Sequence, residues 1–321
     1  MKMKKLIITG GSGFIGSYII EELGRFEQIE ILNLDLVPPT QDNQYSLWCK
    51  SDINNLEALR TQILSYDPDY IIHLAAKTDT LSDDLEQYFT NIKGVENLIK
   101  VANQCSNLKK IVITSTQYVY KDKNKPYPEN DRDYKPHTIY GESKVLTEKI
   151  TQDKCKKPFT IVRPTNVWGA RNKNYEKGLF RIIDKGLLLL PNDKLSIKSY
   201  GFVRNICQQI IKIAFDEKII NNVLYVGEKE ISSKIWLEDL HVELKGRKPR
   251  YIPKLILLNA ARLGDIMIKF GLPFPIYSTR YMNMLEDYLV PIDKTIEKYG
   301  IQYPNLKSNI KETINSYRND N

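Results

Sequence analysis

The chain is poor in the residues that hold metals and disulfides. Its 321 residues include three histidines (His73, His137, His241) and four cysteines (Cys49, Cys105, Cys155, Cys207). No two cysteines form a Cys-x-x-Cys pair and the histidines are dispersed. Neither a disulfide framework nor a metal site is expected, and the cysteines read as reduced thiols of a cytoplasmic protein. No apolar run approaches the roughly 18 residues of a membrane span; Leu187–Leu190 and Leu255–Leu258 are short. The basic start Met1–Lys5 passes into Leu6-Ile7-Ile8 but breaks at Thr9-Gly10-Gly11, too early for the apolar core of a signal peptide. Low-complexity segments and internal repeats are absent. Lysine and arginine (47) outnumber aspartate and glutamate (39), giving +8, yet no segment gathers them beyond short pairs. That scatter argues against a nucleic-acid partner and leaves a basic surface suited to an anionic small molecule.

What is present is a core-forming chain, 42% hydrophobic, long enough for one large domain or a large lobe carrying a smaller one. Strand-like runs at Lys5–Thr9, Glu30–Asp35, Asp69–Leu74, Lys110–Thr114 and Phe159–Arg163 alternate with helical periodicity at Phe14–Arg25, Leu56–Ser65, Leu85–Gln104 and Tyr140–Thr151. Such alternation predicts an α/β fold, a Rossmann-type doubly wound parallel sheet over residues 1–168. The strands lack polar alternation, as expected when both faces of a sheet are covered. Beyond Gly169, prolines punctuate shorter helices such as Phe180–Leu188 and Asn205–Phe215. Residues 169–321 are therefore expected to form mainly a smaller C-terminal substrate-binding lobe with interleaved segments, at the sheet edge where ligands bind.

Gly10, Gly13 and Gly16 stand between the first strand and the first helix, in a Gly-x-x-Gly-x-x-Gly spacing. That context is the one a dinucleotide-binding turn needs. The first glycine permits the turn, the second lets backbone approach a pyrophosphate, and the third lets helix pack on strand. The helix start at Phe14-Ile15 then offers N–H groups and partial positive charge to phosphates. Asp35 closes the second strand about 20 residues on, where a carboxylate accepts both ribose hydroxyls and repels a 2′-phosphate; this favours NAD over NADP. Asp52-Ile53 are a weaker candidate for adenine contact.

Tyr140 and Lys144 lie four residues apart, on one face of a helix. A tyrosine is a poor base at neutral pH; a nearby ammonium and a positively charged nicotinamide are expected to favour phenolate and so bring it into the range of acid–base catalysis. In a chain with 20 tyrosines the spacing alone means little. It gains weight from its order, after the glycine turn and after Thr114-Ser115-Thr116 at a strand end.

These residues resemble the extended short-chain dehydrogenase/reductase family, in its NAD-dependent nucleotide-sugar epimerase/dehydratase branch. The resemblance rests on Thr9–Gly16, Asp35, His73-Leu74-Ala75-Ala76, Asn91 with Gly94, Thr114–Tyr120, Tyr140–Lys144 and Arg163–Gly169, in that order over the first half of the chain. It implies Tyr140 as proton-shuttling base, Lys144 as its electrostatic partner and Thr116 as the hydroxyl holding the reacting oxygen. It also implies that Leu74, Ala75 and Ala76 line the nicotinamide ribose, and that Asn91 supports the active-site helix or a water at the cofactor. His73 is expected to pack and Arg163 to be structural. Gln117 and Asn166 are implied substrate contacts. Where relatives carry an arginine for the diphosphate, this chain has Lys198, with Arg204 or Arg280 available to share the grip; a lysine cannot make the bidentate contact of arginine. A homodimer through Leu85–Gln104 and Tyr140–Cys155 is expected.

Two departures narrow the chemistry. Sugar 4,6-dehydratases of the family carry an Asp-Glu pair after the active-site threonine, and decarboxylases a nearby glutamate; here those positions are Gln117 and Tyr118. What remains is NAD-dependent epimerisation at C4 of a nucleoside-diphosphate sugar, and the resemblance implies a place in surface-polysaccharide precursor synthesis. The alternatives are a nucleotide-ketosugar reductase or dehydrogenase, a sterol-dehydrogenase-like oxidoreductase suggested by the apolar stretch Tyr251–Tyr281, and a non-catalytic NAD(H) sensor. The stretch also suits helices packing on the lobe, the reading preferred, or contact with a membrane surface.

Overall fold

The computed structural model describes residues 3–80, 82–121, 131–272 and 274–319. It resolves into two compact units, the first made of residues 1–167, 203–227 and 290–302 and the second of residues 168–202, 228–289 and 303–321.

The first unit is built on seven parallel strands. Six follow one another in the chain: β1 (Lys4–Thr9), β2 (Ile29–Asp35), β3 (Trp48–Lys50), β4 (Tyr70–His73), β5 (Lys110–Thr114) and β6 (Phe159–Pro164). The seventh, Asn222–Val226, pairs with β6 at one edge. Their spatial order is Asn222–Val226, β6, β5, β4, β1, β2, β3, so the direction of winding reverses between β1 and β4. Ligands bind beyond the carboxyl ends of the strands at such a reversal. Strands β1, β4 and β5 bury every apolar side chain, which explains their uninterrupted Leu, Ile and Val.

Helices α1 (Phe14–Leu23), α2 (Leu56–Tyr66), α3 (Phe89–Ala102) and α4 (Ile139–Lys154) flank the sheet. The periodicity at Leu85–Gln104 overstated the third of these. Its first turn, Leu85–Tyr88, is a tighter 3-10 turn whose opening Glu86 N–H is capped by the Asp84 carboxylate, and the α-helix starts at Phe89. The helix expected over Phe180–Leu188 likewise ends at Asp184, because Gly186 turns the chain with φ +69°. Elsewhere the predicted strands and helices of this unit stand within a few residues of their expected bounds.

Helix α4 packs on the sheet through a polar face. Ser143, Lys144, Thr147, Glu148 and Thr151 are all buried. Each finds a partner: Ser143, Thr147 and Thr151 hydroxyls donate to carbonyls one turn back at 2.7, 3.1 and 2.8 Å. Glu148 accepts from Arg163 Nε at 2.9 Å and Nη2 at 2.7 Å, and from the Ser115 hydroxyl. Tyr134 adds a hydroxyl donor to the same carboxylate at 3.1 Å. The helix is thereby locked to the ends of β5 and β6 by one buried, fully engaged ion pair.

The second unit pairs Ile197–Phe202 with Glu230–Ser232 antiparallel and Leu189–Pro191 with Arg250–Ile252 parallel. Its core is aromatic: Tyr200 stacks on Trp236 with centroids 4.8 Å apart, and Trp168 meets Phe202 at 5.1 Å. A separate small core holds Leu257, Ala261 and Tyr281.

Breaking a buried ion pair by removing one partner strands the other charge, at about 3–5 kcal/mol. Glu148→Ala should lower the unfolding free energy by that amount in urea titrations. Exposed Glu86→Ala should stay within about 0.5 kcal/mol of the parent. Equal, small effects of the two would show that the pair does not hold α4.

Candidate active site

The turn after β1 is shaped by what it must pass. Gly10 has φ +73°, and a Cβ there would fall 2.6 Å from the Ala75 nitrogen; one on Gly16 would fall 2.5 Å from the Gly10 carbonyl oxygen. The turn thus presses against the chain leaving β4 and folds back on the start of α1. A Cβ on Gly13 would meet the Gly10 carbonyl oxygen at 3.2 Å, and α1 opens directly after it at Phe14 and Ile15. Asn33, a polar residue inside the apolar strand β2, braces the turn by donating Nδ2 to Ser12 Oγ at 3.1 Å. That contact was not anticipated, although an asparagine in the run Ile31-Leu32-Asn33-Leu34 was a visible signal.

Asp35 ends β2 with its carboxylate fixed at both oxygens: Oδ2 accepts the Ser12 N–H at 3.0 Å and Oδ1 the Val37 N–H at 3.1 Å. It faces the glycine turn, as a ribose-binding carboxylate must. Asp52 instead caps its own turn, accepting the Asn54 N–H at 2.9 Å. The Ile53 side chain is buried against Gly94, where an added Cβ would fall 2.3 Å from Ile53 Cδ1. Leu74 continues the β4 direction by donating its N–H to the Thr9 carbonyl at 2.9 Å, bringing Ala75 and Ala76 to the turn.

Asn91 is buried and its amide is used inside the protein. It accepts the Lys77 N–H at 2.7 Å and donates to the Lys77 carbonyl at 3.0 Å and Ser143 Oγ at 3.1 Å. It clamps the segment carrying Ala75 and Ala76 to α4.

At the end of β5, Thr116 and Tyr140 share a side-chain hydrogen bond. Lys144, one turn along α4, donates from Nζ to the Thr114 carbonyl at 2.8 Å. Burial lowers Lys144 to about 8, opposed by the Glu148 carboxylate. Burial and then the Lys144 ammonium push His73 down to about 3, so the ring is neutral; its Nδ1 shares a 2.6 Å hydrogen bond with Thr9 Oγ1. His73 is a packing residue.

The electrostatics of Tyr140 differ from the expectation drawn from Lys144. Burial, and next the neighbouring Tyr118, raise its phenol well above the ordinary tyrosine range, with only the Thr116 hydrogen bond opposing. The Lys144 ammonium is held on the Thr114 carbonyl rather than on the phenol. Burial thus favours the protonated phenol among the chain's own groups, and a positive charge brought by a bound cofactor would act the other way.

Gln117 and Tyr118 both turn to Asn166: Nε2 donates to Asn166 Oδ1 at 2.9 Å and the Tyr118 hydroxyl to the same oxygen at 3.1 Å. No carboxylate stands at these positions. Arg204 pairs with Glu21 at 3.1 Å and Glu22 at 3.0 Å on α1, while Lys198 donates to the Asn283 carbonyl and Arg280 to the Pro275 carbonyl, stacked on Tyr277. The first unit therefore gathers Gly10, Gly13, Gly16, Asp35, Ala75, Ala76, Thr116, Tyr140, Lys144, Gln117 and Asn166 at the carboxyl ends of its strands. It leaves Arg204 engaged with α1.

Residues 6–222 match the sequence family described as the NAD dependent epimerase/dehydratase family. The chain belongs to that family. It is an NAD-dependent enzyme of the extended short-chain dehydrogenase/reductase type, and the glycine turn with Asp35 has the donor and acceptor set that NAD requires. Among curated members it is 25% identical over 288 residues to the N-acetyl-alpha-D-glucosaminyl-diphospho-ditrans,octacis-undecaprenol 4-epimerase of Escherichia coli O157:H7, covering 86% of this chain and 83% of that one. It is 30% identical over 268 residues to the UDP-N-acetyl-alpha-D-glucosaminuronate decarboxylase of Bacillus cytotoxicus, covering 74% and 79%. Among solved structures, the NAD complex of the Thermus thermophilus UDP-glucose 4-epimerase superposes with TM-score 0.72 at 20% identity, over 98% of this chain and 99% of that one. The family's relatives thus include nucleotide-sugar epimerases and decarboxylases.

A hydrogen bond to a charged group contributes about 1.5–3 kcal/mol. Asp35→Ala should therefore weaken NAD binding roughly 10- to 100-fold by isothermal calorimetry and leave NADP within a few-fold. Equal losses for both dinucleotides would remove Asp35 from the ribose.

Proposed function

We propose that the enzyme epimerises C4 of a nucleoside-diphosphate sugar. The observation that carries this reading is the Thr116–Tyr140 hydroxyl pair beside Lys144, followed at once by Gln117 and Tyr118 in place of two carboxylates. Elimination of water needs an extra acid and base; moving a proton on and off one hydroxyl needs only Tyr140.

NAD, when bound, accepts and returns the hydride and brings a positive charge to its ring. The protein handles the proton and the geometry. Thr116 Oγ1 holds the sugar oxygen, and the Tyr140 phenolate takes the proton of the C4 hydroxyl as C4 becomes a ketone. When the ketone is reduced again on its opposite face, Tyr140 would return that proton to the C4 oxygen. Lys144, anchored on Thr114, keeps an ammonium at the base of the site. Asn166, held by Gln117 and Tyr118, offers its amide N–H groups to the substrate. Lys198 is the proposed diphosphate contact of the second unit, and the enzyme is proposed to act as a homodimer through α3 and α4.

A second reading keeps the chemistry and changes the carrier: the sugar hangs on a polyprenyl diphosphate rather than a nucleotide. It is favoured by the relative from E. coli, whose name gives such a substrate and which this chain matches over 86% of its length.

Incubation with nucleotide-hexoses in deuterated water, without added cofactor, should interconvert C4 epimers with protium retained at C4. Tyr140→Phe should slow this about 10²- to 10⁴-fold, the scale of one acid–base group, with dinucleotide content unchanged. Turnover within a few-fold of the parent would remove Tyr140 from the reaction. Deuterium entering the sugar with loss of water would make the enzyme a dehydratase.

A further inference from the structure

The helix Lys254–Lys269 of the second unit buries one narrow face, Leu257, Ala261 and Gly264. Its opposite face is apolar and open. Leu255, Leu263, Ile266 and Phe270 share one side of the helix, with the exposed Asn259 midway between Leu255 and Leu263, and Ile256 stands at its edge. Leu255 is 72% exposed and Phe270 78%, and Leu272 continues the patch beyond the helix end. The stripe is about 22 Å long at 1.5 Å per residue. The contiguous exposed part of it, Leu263, Ile266, Phe270 and Leu272, is a patch of the kind that marks an interaction site.

The charges beside the stripe select its partner. Arg262 and Lys269 stand along one edge, seven residues apart, and Arg262 has no ion pair or hydrogen bond among the described residues. The helix has a single acid, Asp265, whose carboxylate is taken up by the Ser278 N–H at 2.9 Å and the Ser278 hydroxyl. Its edge is therefore basic with no acid free to answer it. Two copies of this helix packed face to face would bring Arg262 and Lys269 near their own counterparts without a compensating carboxylate. An apolar stripe with a cationic edge is instead the pattern of helices that lie in a lipid–water interface. Among the described residues no helix is long and apolar enough to cross a membrane, so such contact would be peripheral.

We infer that the face formed by Leu255, Leu263, Ile266, Phe270 and Leu272, edged by Arg262 and Lys269, docks on an anionic lipid bilayer. The apolar side chains enter the boundary between headgroups and acyl chains, and the two cations meet lipid phosphates. The docking is independent of the epimerisation reading, since it needs no substrate, and it serves either carrier.

Flotation of the purified full chain with phosphatidylethanolamine–phosphatidylglycerol vesicles tests it. The parent should float with these vesicles at low salt and much less with phosphatidylcholine vesicles. Leu263→Ser/Ile266→Ser/Phe270→Ser should cut partitioning at least tenfold, with melting temperature and dinucleotide content unchanged. Arg262→Gln/Lys269→Gln, which leaves the stripe intact, should weaken binding and flatten its salt dependence. A parent chain that stays with the pellet at low salt overturns the inference. So does a parent that self-associates and does not float, and that the triple variant converts to monomer, for the face would then be an interface between copies.

Discussion

The site depends on one buried helix whose packing face is polar. Tyr140, Lys144 and Glu148 recur every four residues along α4, and each serves a different purpose on the same stripe. Glu148 is the anchor: buried against Arg163, it holds the helix to β5 and β6. Lys144, one turn back, ties the helix to the Thr114 carbonyl. Tyr140, a further turn back, is left with its hydroxyl at Thr116. An apolar face would bury as well, but it would not set the rotation of the helix to a fraction of a turn. The directional hydrogen bonds of Ser115 and Arg163 do, which is why a costly buried charge is kept so close to the reacting groups.

That packing also sets the chemistry of Tyr140. The helix buries the phenol so well that its acidity falls, and Lys144, spent on a backbone carbonyl and itself lowered to about 8, does not restore it. The protein alone holds a proton donor. A positive charge brought by a bound cofactor would act in the opposite direction to this burial and favour the phenolate.

Much of this was legible in the sequence because it is local. The glycines, Asp35 and the Tyr-x-x-x-Lys spacing are patterns within one turn, one strand end and one helix, and the alternation of strands and helices predicted the parallel sheet. What escaped notice joins positions far apart in the chain. Glu148 meets Ser115 and Arg163 only because β5 and β6 are neighbours, and nothing near residue 148 announces a buried acid. Gln117 and Tyr118 could be recognised as missing carboxylates, but not as the pair that holds Asn166. The strand Asn222–Val226 is five residues long without a glycine turn before it, and its place beside β6 follows from a chain that returns to the sheet after residue 203. The apolar run near residue 255 was visible; that its outer face stays uncovered was not, because composition does not say which side of a helix packs.

On the proposed function, the chain holds an oxidised dinucleotide for an internal hydride transfer completed by Tyr140. The direct test is to denature the purified protein and to identify and quantify what it releases. Near-stoichiometric NAD, predominantly oxidised, is the predicted result. A protein that releases no dinucleotide and binds neither NAD nor NADP when these are supplied would contradict the account at its base.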